Sequence, residues 1–337
     1  MPPGLKVAVL DPTELVGSEI IKILEERNFP LRELILLGNK HTAGEKVDCQ
    51  GQERAVQMLD SLSFKGVDLA FFSCDMATTM EHAARAKAAG STIIDLSSRF
   101  SMADSIPLVV PEVNSASLKH HQGMIACPRA ATVQLVLTLA PIHKLARIRR
   151  VTVSTYQAVS DRGSRALDEL TGQVRDLFSF HEPRCNLFPQ QIAFSVLPQV
   201  RQFMDNGYTE EEMAVCHETQ RILGDRNLRI SATSVYVPVF YSNGQSVIIE
   251  TARKITFEQA KEALAKAAGI SVQDDLKASV YPTPIHAAGT DECLVGRIRQ
   301  DLSSDNGIAL WSVCDNIRKG AALNAVQIAE LLAKDLS

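Results

Sequence analysis

Short, mostly apolar runs recur through the first third of the chain, at 6–10 (Lys6-Val7-Ala8-Val9-Leu10), 34–37, 67–73 and 92–95. Runs of this length without polar alternation suit strands covered on both faces, as in a parallel sheet. Between the first two, Val16, Ile20, Ile23 and Leu24 recur at helical spacing, and Asn28 and Pro30 mark the stop. An alanine-rich segment at 78–89, with Gly90 behind it, predicts a second helix. This strand–helix alternation predicts a doubly wound α/β domain with a mostly parallel sheet, reaching to about Pro128. Its last strand, 124–127, ends at that proline, and Val133, Val136, Leu137 and Ala140 then lay an apolar stripe along a helix.

A helix N-terminus carries free N–H groups and a positive partial charge, and it lowers the pKa of a cysteine placed there. The residue at this turn is Ala130, and the nearest thiol, Cys127, lies before the proline. Beyond the turn the rhythm changes. Segments 151–156, 230–239 and 246–251 are longer, alternating and β-branched, as suits a sheet with one covered face. Helices are predicted at 165–177, 209–223 and 256–268, the last opened by a Thr256-x-x-Gln259 capping box, and a closing helix at 320–334. The fold class is α/β followed by α+β.

Composition narrows the function. A chain of 337 residues with 45% apolar content has room for two domains and their cores. A net charge of −4 argues against a nucleic-acid partner, for which a basic face is expected. No window of about 18 apolar residues exists, so no membrane span is expected, and the N-terminus leads into a strand without a signal-peptide core. The seven cysteines are scattered, with no Cys-x-x-Cys pair. That pattern predicts reduced thiols in a cytoplasmic protein and no metal site.

Four stretches carry a resemblance. They are Ile106-Pro107-Leu108-Val109-Val110-Pro111-Glu112-Val113-Asn114, Ser154-Thr155-Tyr156-Gln157-Ala158-Val159-Ser160, Phe188-Pro189-Gln190-Gln191-Ile192-Ala193-Phe194 and the run from Asp315-Asn316-Ile317-Arg318-Lys319-Gly320 through Ala321-Ala322-Leu323-Asn324-Ala325-Val326-Gln327. Together they resemble the aspartate-semialdehyde dehydrogenase family. The resemblance implies a Rossmann-type NADP-binding domain at 1–128, joined by a returning C-terminal helix at 319–337. It also implies a catalytic and dimer-forming domain at 129–318, and hence a homodimer. The family reduces aspartyl phosphate to aspartate semialdehyde with NADPH. A cysteine thiolate carries the acyl group, a histidine moves protons and an arginine grips the substrate carboxylate.

Carried over position by position, the family's chemistry is largely replaced. Its Gly-Ala-Thr-Gly-x-Val-Gly phosphate loop reads Asp11-Pro12-Thr13-Glu14-Leu15-Val16-Gly17 here, with only Gly17 kept. Two carboxylates stand where phosphates would sit, and like charges 4 Å apart repel by about 4 kcal/mol at an effective dielectric of about 20. The same residues read equally as a helix start, with Asp11 as N-cap, Pro12 at the first position and Glu14 at the third. Asp75 adds a third acid. Lys40 or His41 can meet a 2′-phosphate or form a solvated turn. Ala130 occupies the nucleophile's position, with Arg129 before it in place of asparagine. Gln157 is retained; Glu218 matches a substrate-binding glutamate, and Arg221 stands for the usual lysine. Tyr236 takes the place of the carboxylate-binding arginine and Asn243 that of the base. Ser101 replaces a further arginine, although Arg99 is adjacent. His217 is a substitute base or a surface histidine.

The expected protein is therefore a catalytically inactive paralogue, of the Usg type that lacks the cysteine. NADP binding is implied by the resemblance and doubted from the loop, and no metal is expected. The pocket of Arg129, Gln157, Glu218, Arg221, Tyr236 and Asn243 would take a small anionic or amino-acid-like ligand, or close on itself by salt bridges. The alternatives are an active enzyme with displaced groups and a structural partner of an active homologue.

Overall fold

The computed structural model describes residues 4–49, 51–60 and 62–336. The chain divides into two compact units, Met1–Arg129 with Ala321–Ser337, and Ala130–Gly320. In chain order the first carries β1 (Leu5–Leu10), α1 (Leu15–Glu26), β2 (Leu31–Gly38), β3 (Lys46–Cys49), β4 (Gln52–Ala55), β5 (Gln57–Met58), β6 (Leu69–Phe72), α2 (Met76–Ala88), β7 (Thr92–Asp95), α3 (Pro111–Asn114) and β8 (Met124–Ala126). Six of these strands form one sheet in the order β5-β2-β1-β6-β7-β8, parallel throughout. Side chains alternate across a strand, and both sides of this sheet are apolar. Val7 and Val9 face Ile20, Ile23 and Leu24 of α1, while Ala8 and Leu10 join Phe72 and the alanines of α2. Each fully buried Ile or Leu of α1 contributes about 1.5–3 kcal/mol.

The second unit carries α4 (Ala130–Ala146), β9 (Ile148–Gln157), α5 (Ser164–Phe178), α6 (Glu210–Ile222), β10 (Arg229–Tyr236), β11 (Asn243–Thr251), α7 (Phe257–Ala265), β12 (Ile270–Val272), α8 (Pro284–Ala287), β13 (Cys293–Gln300) and β14 (Gly307–Cys314). Its sheet, ordered β10-β9-β11-β14-β13-β12, is mixed. β9, β11, β14 and β13 run antiparallel in turn, and the two edge pairs are parallel. Helices α4, α6 and α7 cover one face. The other carries Tyr156 and Ile248 at the surface, with Tyr156 tilted against Trp311 at 5.5 Å. A π-helical turn, Arg318–Ala322, then leads into α9 (Leu323–Leu336), which belongs to the first unit. There Arg27 grips Glu330 at 2.6 and 2.9 Å, and Gln327 donates to Glu112 at 2.8 Å.

The expected α/β plus α+β class holds. The Thr256–Gln259 capping box is present, and a second one, Thr209 with Glu212, opens α6. The closing helix starts at Leu323, after the π turn, instead of at residue 320. Among the described residues no helix is long and apolar enough to cross a membrane.

Candidate functional site

The turn after β8 is built as the apolar pattern predicts, with Ala130 opening the helix that follows. Ala130 is the first residue of α4. Its methyl group packs on Gly320, where an added Cβ would come within 2.7 Å of it. Cys127 is 2% exposed and belongs to the apolar core of the first unit, and burial pushes its thiol far above the ordinary range. A buried thiol of raised pKa holds almost no thiolate. Cys314 ends β14 opposite Asn243. The neighbouring Cys293 thiol, and then burial, raise its pKa well above the ordinary value. Six of the seven cysteines are buried, and the exposed one, Cys185, lies outside this turn.

Three strand ends meet in the second unit. Gln157 closes β9 and pairs in register with Tyr236 at the end of β10. Asn243 opens β11, and its Oδ1 accepts the Ala158 N–H at 2.8 Å. All three side chains are at most 1% exposed. The first turn of α6 is fastened over this end by Glu212, which accepts the N–H of Thr209 at 2.7 Å and of Ser234 at 2.9 Å. That anchoring delivers Glu211, 2% exposed, to Gln157, whose Nε2 donates to Glu211 Oε1 at 3.1 Å. Phe188 meets Tyr236 edge-on at 5.3 Å, and Arg162 stacks over the Phe188 ring at 5.4 Å. Burial, then Asp161, raises the Tyr236 phenol far above its ordinary pKa, against the opposing pull of Arg201 and Arg162. It is therefore a neutral hydroxyl. Gln157 Oε1, Tyr236 Oη and Asn243 Nδ2 are buried without a hydrogen-bond partner. Such groups cost about 1–3 kcal/mol each, so an acceptor, a hydroxyl and a donor clustered here point to a polar occupant.

The loop after β1 differs from the expected helix start. Asp11 is not the N-cap. It sits in a left-handed conformation, φ 48°, and α1 begins at Leu15 with Glu14 in the capping position and no side-chain cap. The cause is Gly17, on which a Cβ would lie 2.3 Å from the Asp11 carbonyl oxygen. The chain must pass round that close approach before the helix can start. Burial, then Asp75 and Glu14, push the Asp11 carboxyl up from 3.8 to about 6. Asp75 itself caps α2, accepting the Thr78 N–H at 2.8 Å. Lys40 and His41 are exposed on a turn that closes on Asn39, whose side chain accepts the His41 N–H at 2.8 Å.

The raised Asp11 value gives a pH dependence. Because the folded pKa of about 6 exceeds the unfolded 3.8, the native state holds the extra proton between them. Stability falls as pH rises through that window and is flat above it. A shift of about two units is worth roughly 3 kcal/mol, reduced to about 2 kcal/mol by screening at a partly exposed side chain. Asp11→Asn is expected to stabilise the protein by about that much at about pH 8 and by almost nothing at about pH 4 in urea unfolding.

Comparison with known proteins fixes the lineage. The family model described as "Semialdehyde dehydrogenase, NAD binding domain" matches residues 6–121, and "Semialdehyde dehydrogenase, dimerisation domain" matches 139–319. The aspartate-semialdehyde dehydrogenase of Aquifex aeolicus is 45% identical over 98% of this chain and 99% of its own. That of Legionella pneumophila is 44% identical over 98% and 96%. The crystal structure of aspartate semialdehyde dehydrogenase II from Vibrio cholerae superposes with a TM-score of 0.96 at 41% identity, covering 98% of this chain and 99% of that one. The chain belongs to the aspartate-semialdehyde dehydrogenase family.

Within that family frame, the structure brings Gln157, Tyr236 and Asn243 together and sorts the other expected residues differently. Glu218 is buried, but it accepts from Thr132 Oγ1 at 2.7 Å, on the α4 side of its helix. It stands about 10 Å along α6 from Glu211, and Arg221 about 15 Å along, at 1.5 Å per residue. Glu211 is the acid that meets Gln157. Sequence reasoning passed over it because Glu210-Glu211-Glu212 reads as an acidic, solvated first turn; only the Thr209-x-x-Glu212 box hinted that the turn is anchored. His217 is exposed. Ser101 is buried and donates to the Ser98 carbonyl at 3.2 Å, while the exposed Arg99 lies over Phe100 at 5.7 Å. Arg129 is the last residue of the first unit's main segment, half-buried, and Thr13 is half-buried in the Asp11 loop. Among the described residues no group of three or more His, Cys, Asp or Glu side chains is placed to hold a metal ion.

Proposed function

We propose that this chain is a binding protein built on the aspartate-semialdehyde dehydrogenase scaffold, a paralogue without the family's thiol chemistry, like the Usg type. The observation that carries the reading is Ala130 at the N-terminus of α4, where a thiolate would stand. Acyl transfer needs a nucleophile, a methyl group supplies none, and the buried Cys127 and Cys314 thiols are raised in pKa. Asn243 cannot exchange a proton near neutral pH. What remains is a cluster of buried, unpartnered polar groups at the strand ends that suits a small anion or zwitterion. The dimerisation-domain match supports a homodimer.

The match to an NAD binding domain supports a dinucleotide-binding origin for the first unit. Its first loop fits the cofactor's phosphates poorly. Asp11 presents a Cβ and a carboxyl that burial already disfavours as an anion, with Glu14 and Asp75 adding to the negative field. NADP(H) is therefore expected to bind weakly, and no step is assigned to it.

A second reading is an active dehydrogenase with displaced groups. The named relatives favour it, since identity of 41–45% runs over nearly the whole chain. The site residues favour the first. Formation of NADPH from aspartate semialdehyde, NADP and phosphate separates the two. Absence of turnover is the expected result; turnover abolished by Cys127→Ser or Cys314→Ser would establish the second reading.

A further inference from the structure

We propose that Cys293 and Cys314 form a redox dithiol, a covalent modification site that hydrogen peroxide converts to a cross-strand disulfide. The sheet register places them. Leu294 of β13 pairs antiparallel with Val313 of β14, so the next position along sets Cys293 opposite Cys314. The row continues across the sheet. Cys314 pairs with Asn243, and Gly244 with Tyr156, which sets Asn243 opposite Gln157, itself paired with Tyr236. Five side chains thus cross the sheet in line, from Tyr236 through Gln157, Asn243 and Cys314 to Cys293, each at most 1% exposed. The dithiol ends a row whose other members carry the unpartnered polar atoms.

The backbone also sets the type of pair. The Cys293 N–H donates to the Gly269 carbonyl at 2.8 Å, on the β12 side of its strand. The N–H and the carbonyl of one residue point to the same side of a strand, so toward β14 Cys293 makes a non-hydrogen-bonded pair. Such pairs hold their Cα atoms about 4.5 Å apart with the side chains close, and disulfides span about 4.4–6.8 Å between Cα atoms. The two thiols are already in hydrogen-bond contact, and that contact is the first cause of the raised Cys314 pKa. No second cysteine is among the groups that shift the Cys49, Cys74, Cys127 or Cys216 thiols.

The chemistry follows from that contact. The thiolate is the form that attacks peroxide. Cys293 and burial hold Cys314 as a thiol, while the fully buried Lys319 pulls the other way. The first step is therefore slow, and both thiols being buried, the oxidant must be small. In that step the Cys314 sulfur bonds to one oxygen of hydrogen peroxide, the O–O bond breaks, and the leaving hydroxide takes the thiol proton to become water. The Cys293 sulfur then attacks the sulfenic sulfur, the S–O bond breaks, and a second water leaves with the Cys293 proton. Two thiols and one peroxide give one disulfide and two waters; the thiols lose the two electrons that the peroxide gains. With the second thiol in contact, the sulfenic acid is captured before it can pass to the sulfinic state. A dithiol reductant reverses the change by exchange.

The test is hydrogen peroxide treatment of the folded, full-length Cys185→Ser protein, which lacks the one exposed thiol. Catalase ends the reaction, free thiols are alkylated in urea, and peptides are mapped without reductant. The expected product is a Cys293–Cys314 linkage, with two of the remaining six thiols (seven less Cys185) lost and both recovered by dithiothreitol. The rate should rise about tenfold per pH unit near neutrality, as the thiolate fraction does. The same treatment in urea should scatter the linkages, because native proximity is gone. Adding Cys293→Ala should abolish the linkage, and the mapping of the protein that keeps both cysteines stands even if that variant does not fold. The proposal is overturned if the folded protein keeps all its thiols alkylatable, if Cys314 goes to sulfinic acid unlinked, or if either cysteine links to a different partner.

Discussion

Asp11→Gly combined with Glu14→Gly is expected to tighten NADPH binding about thirtyfold, read by NADPH fluorescence titration. A carboxylate about 4 Å from a phosphate oxygen is opposed by about 4 kcal/mol at an effective dielectric of about 20. Salt screening cuts this, and so does the Asp11 carboxyl itself, which with its pKa raised to about 6 can take up a proton as an anion approaches. A net gain of about 2 kcal/mol for the pair is what survives, and that is about thirtyfold in affinity. The backbone assists. Asp11 already has φ 48°, a value glycine adopts without strain, and its removal also clears the Cβ from the approach to the helix. Unchanged affinity in the double variant would mean that the acids do not face the cofactor path.

Gly17→Ala is expected to be among the most damaging single changes in the first unit. The added Cβ would lie 2.3 Å from the Asp11 carbonyl oxygen and 2.9 Å from Pro12 Cα, both backbone atoms that cannot swing aside. Overpacking of this kind costs about 3 kcal/mol, which lowers the midpoint of a unit of this size by roughly 6–12 °C. Gly172→Ala is the matched control, because nothing lies within 4 Å of its Cβ position on α5. There the change should stabilise by about 0.5–1 kcal/mol, through helix propensity alone. Equal midpoints for the two variants would show that Gly17 is not held by packing. The expected gap between the two variants would explain a glycine at this position by packing, without a bound phosphate.

How much of this was legible beforehand depended on the kind of signal. Val7 and Val9 alternate with Ala8 and Leu10 into two different cores, yet all four are apolar, so the run reads at once as a strand buried on both sides. The capping box at Thr256 is equally local, and it formed. β13 and β14 were missed. β13 is interrupted at Gly296 by a register shift and a left-handed Arg297, and β14 is an apolar run without alternation. Periodicity does not separate such a run from a buried helix. At the site, the residue types of Ala130, Tyr236 and Asn243 were visible in the sequence itself. What each of them touches was not. Asp11 reads as an N-cap until the close approach of Gly17 is known, because that constraint joins two backbones six residues apart. Glu211 carries no local mark at all. It gains its place from the hydrogen bonds that fasten the first turn of α6 to β10.

The central claim is that the thiol route is absent from this scaffold. It is tested most directly by following NADPH absorbance with aspartate semialdehyde, NADP and phosphate, on the wild-type protein and on Ala130→Cys side by side. Neither is expected to turn over, because the wild type lacks a thiolate at the helix terminus and the variant still lacks a base at Asn243. Phosphate-dependent NADPH formation by the wild type would contradict the account outright, and its appearance in Ala130→Cys alone would show that one residue, and not a set of independent replacements, separates this chain from its named relatives.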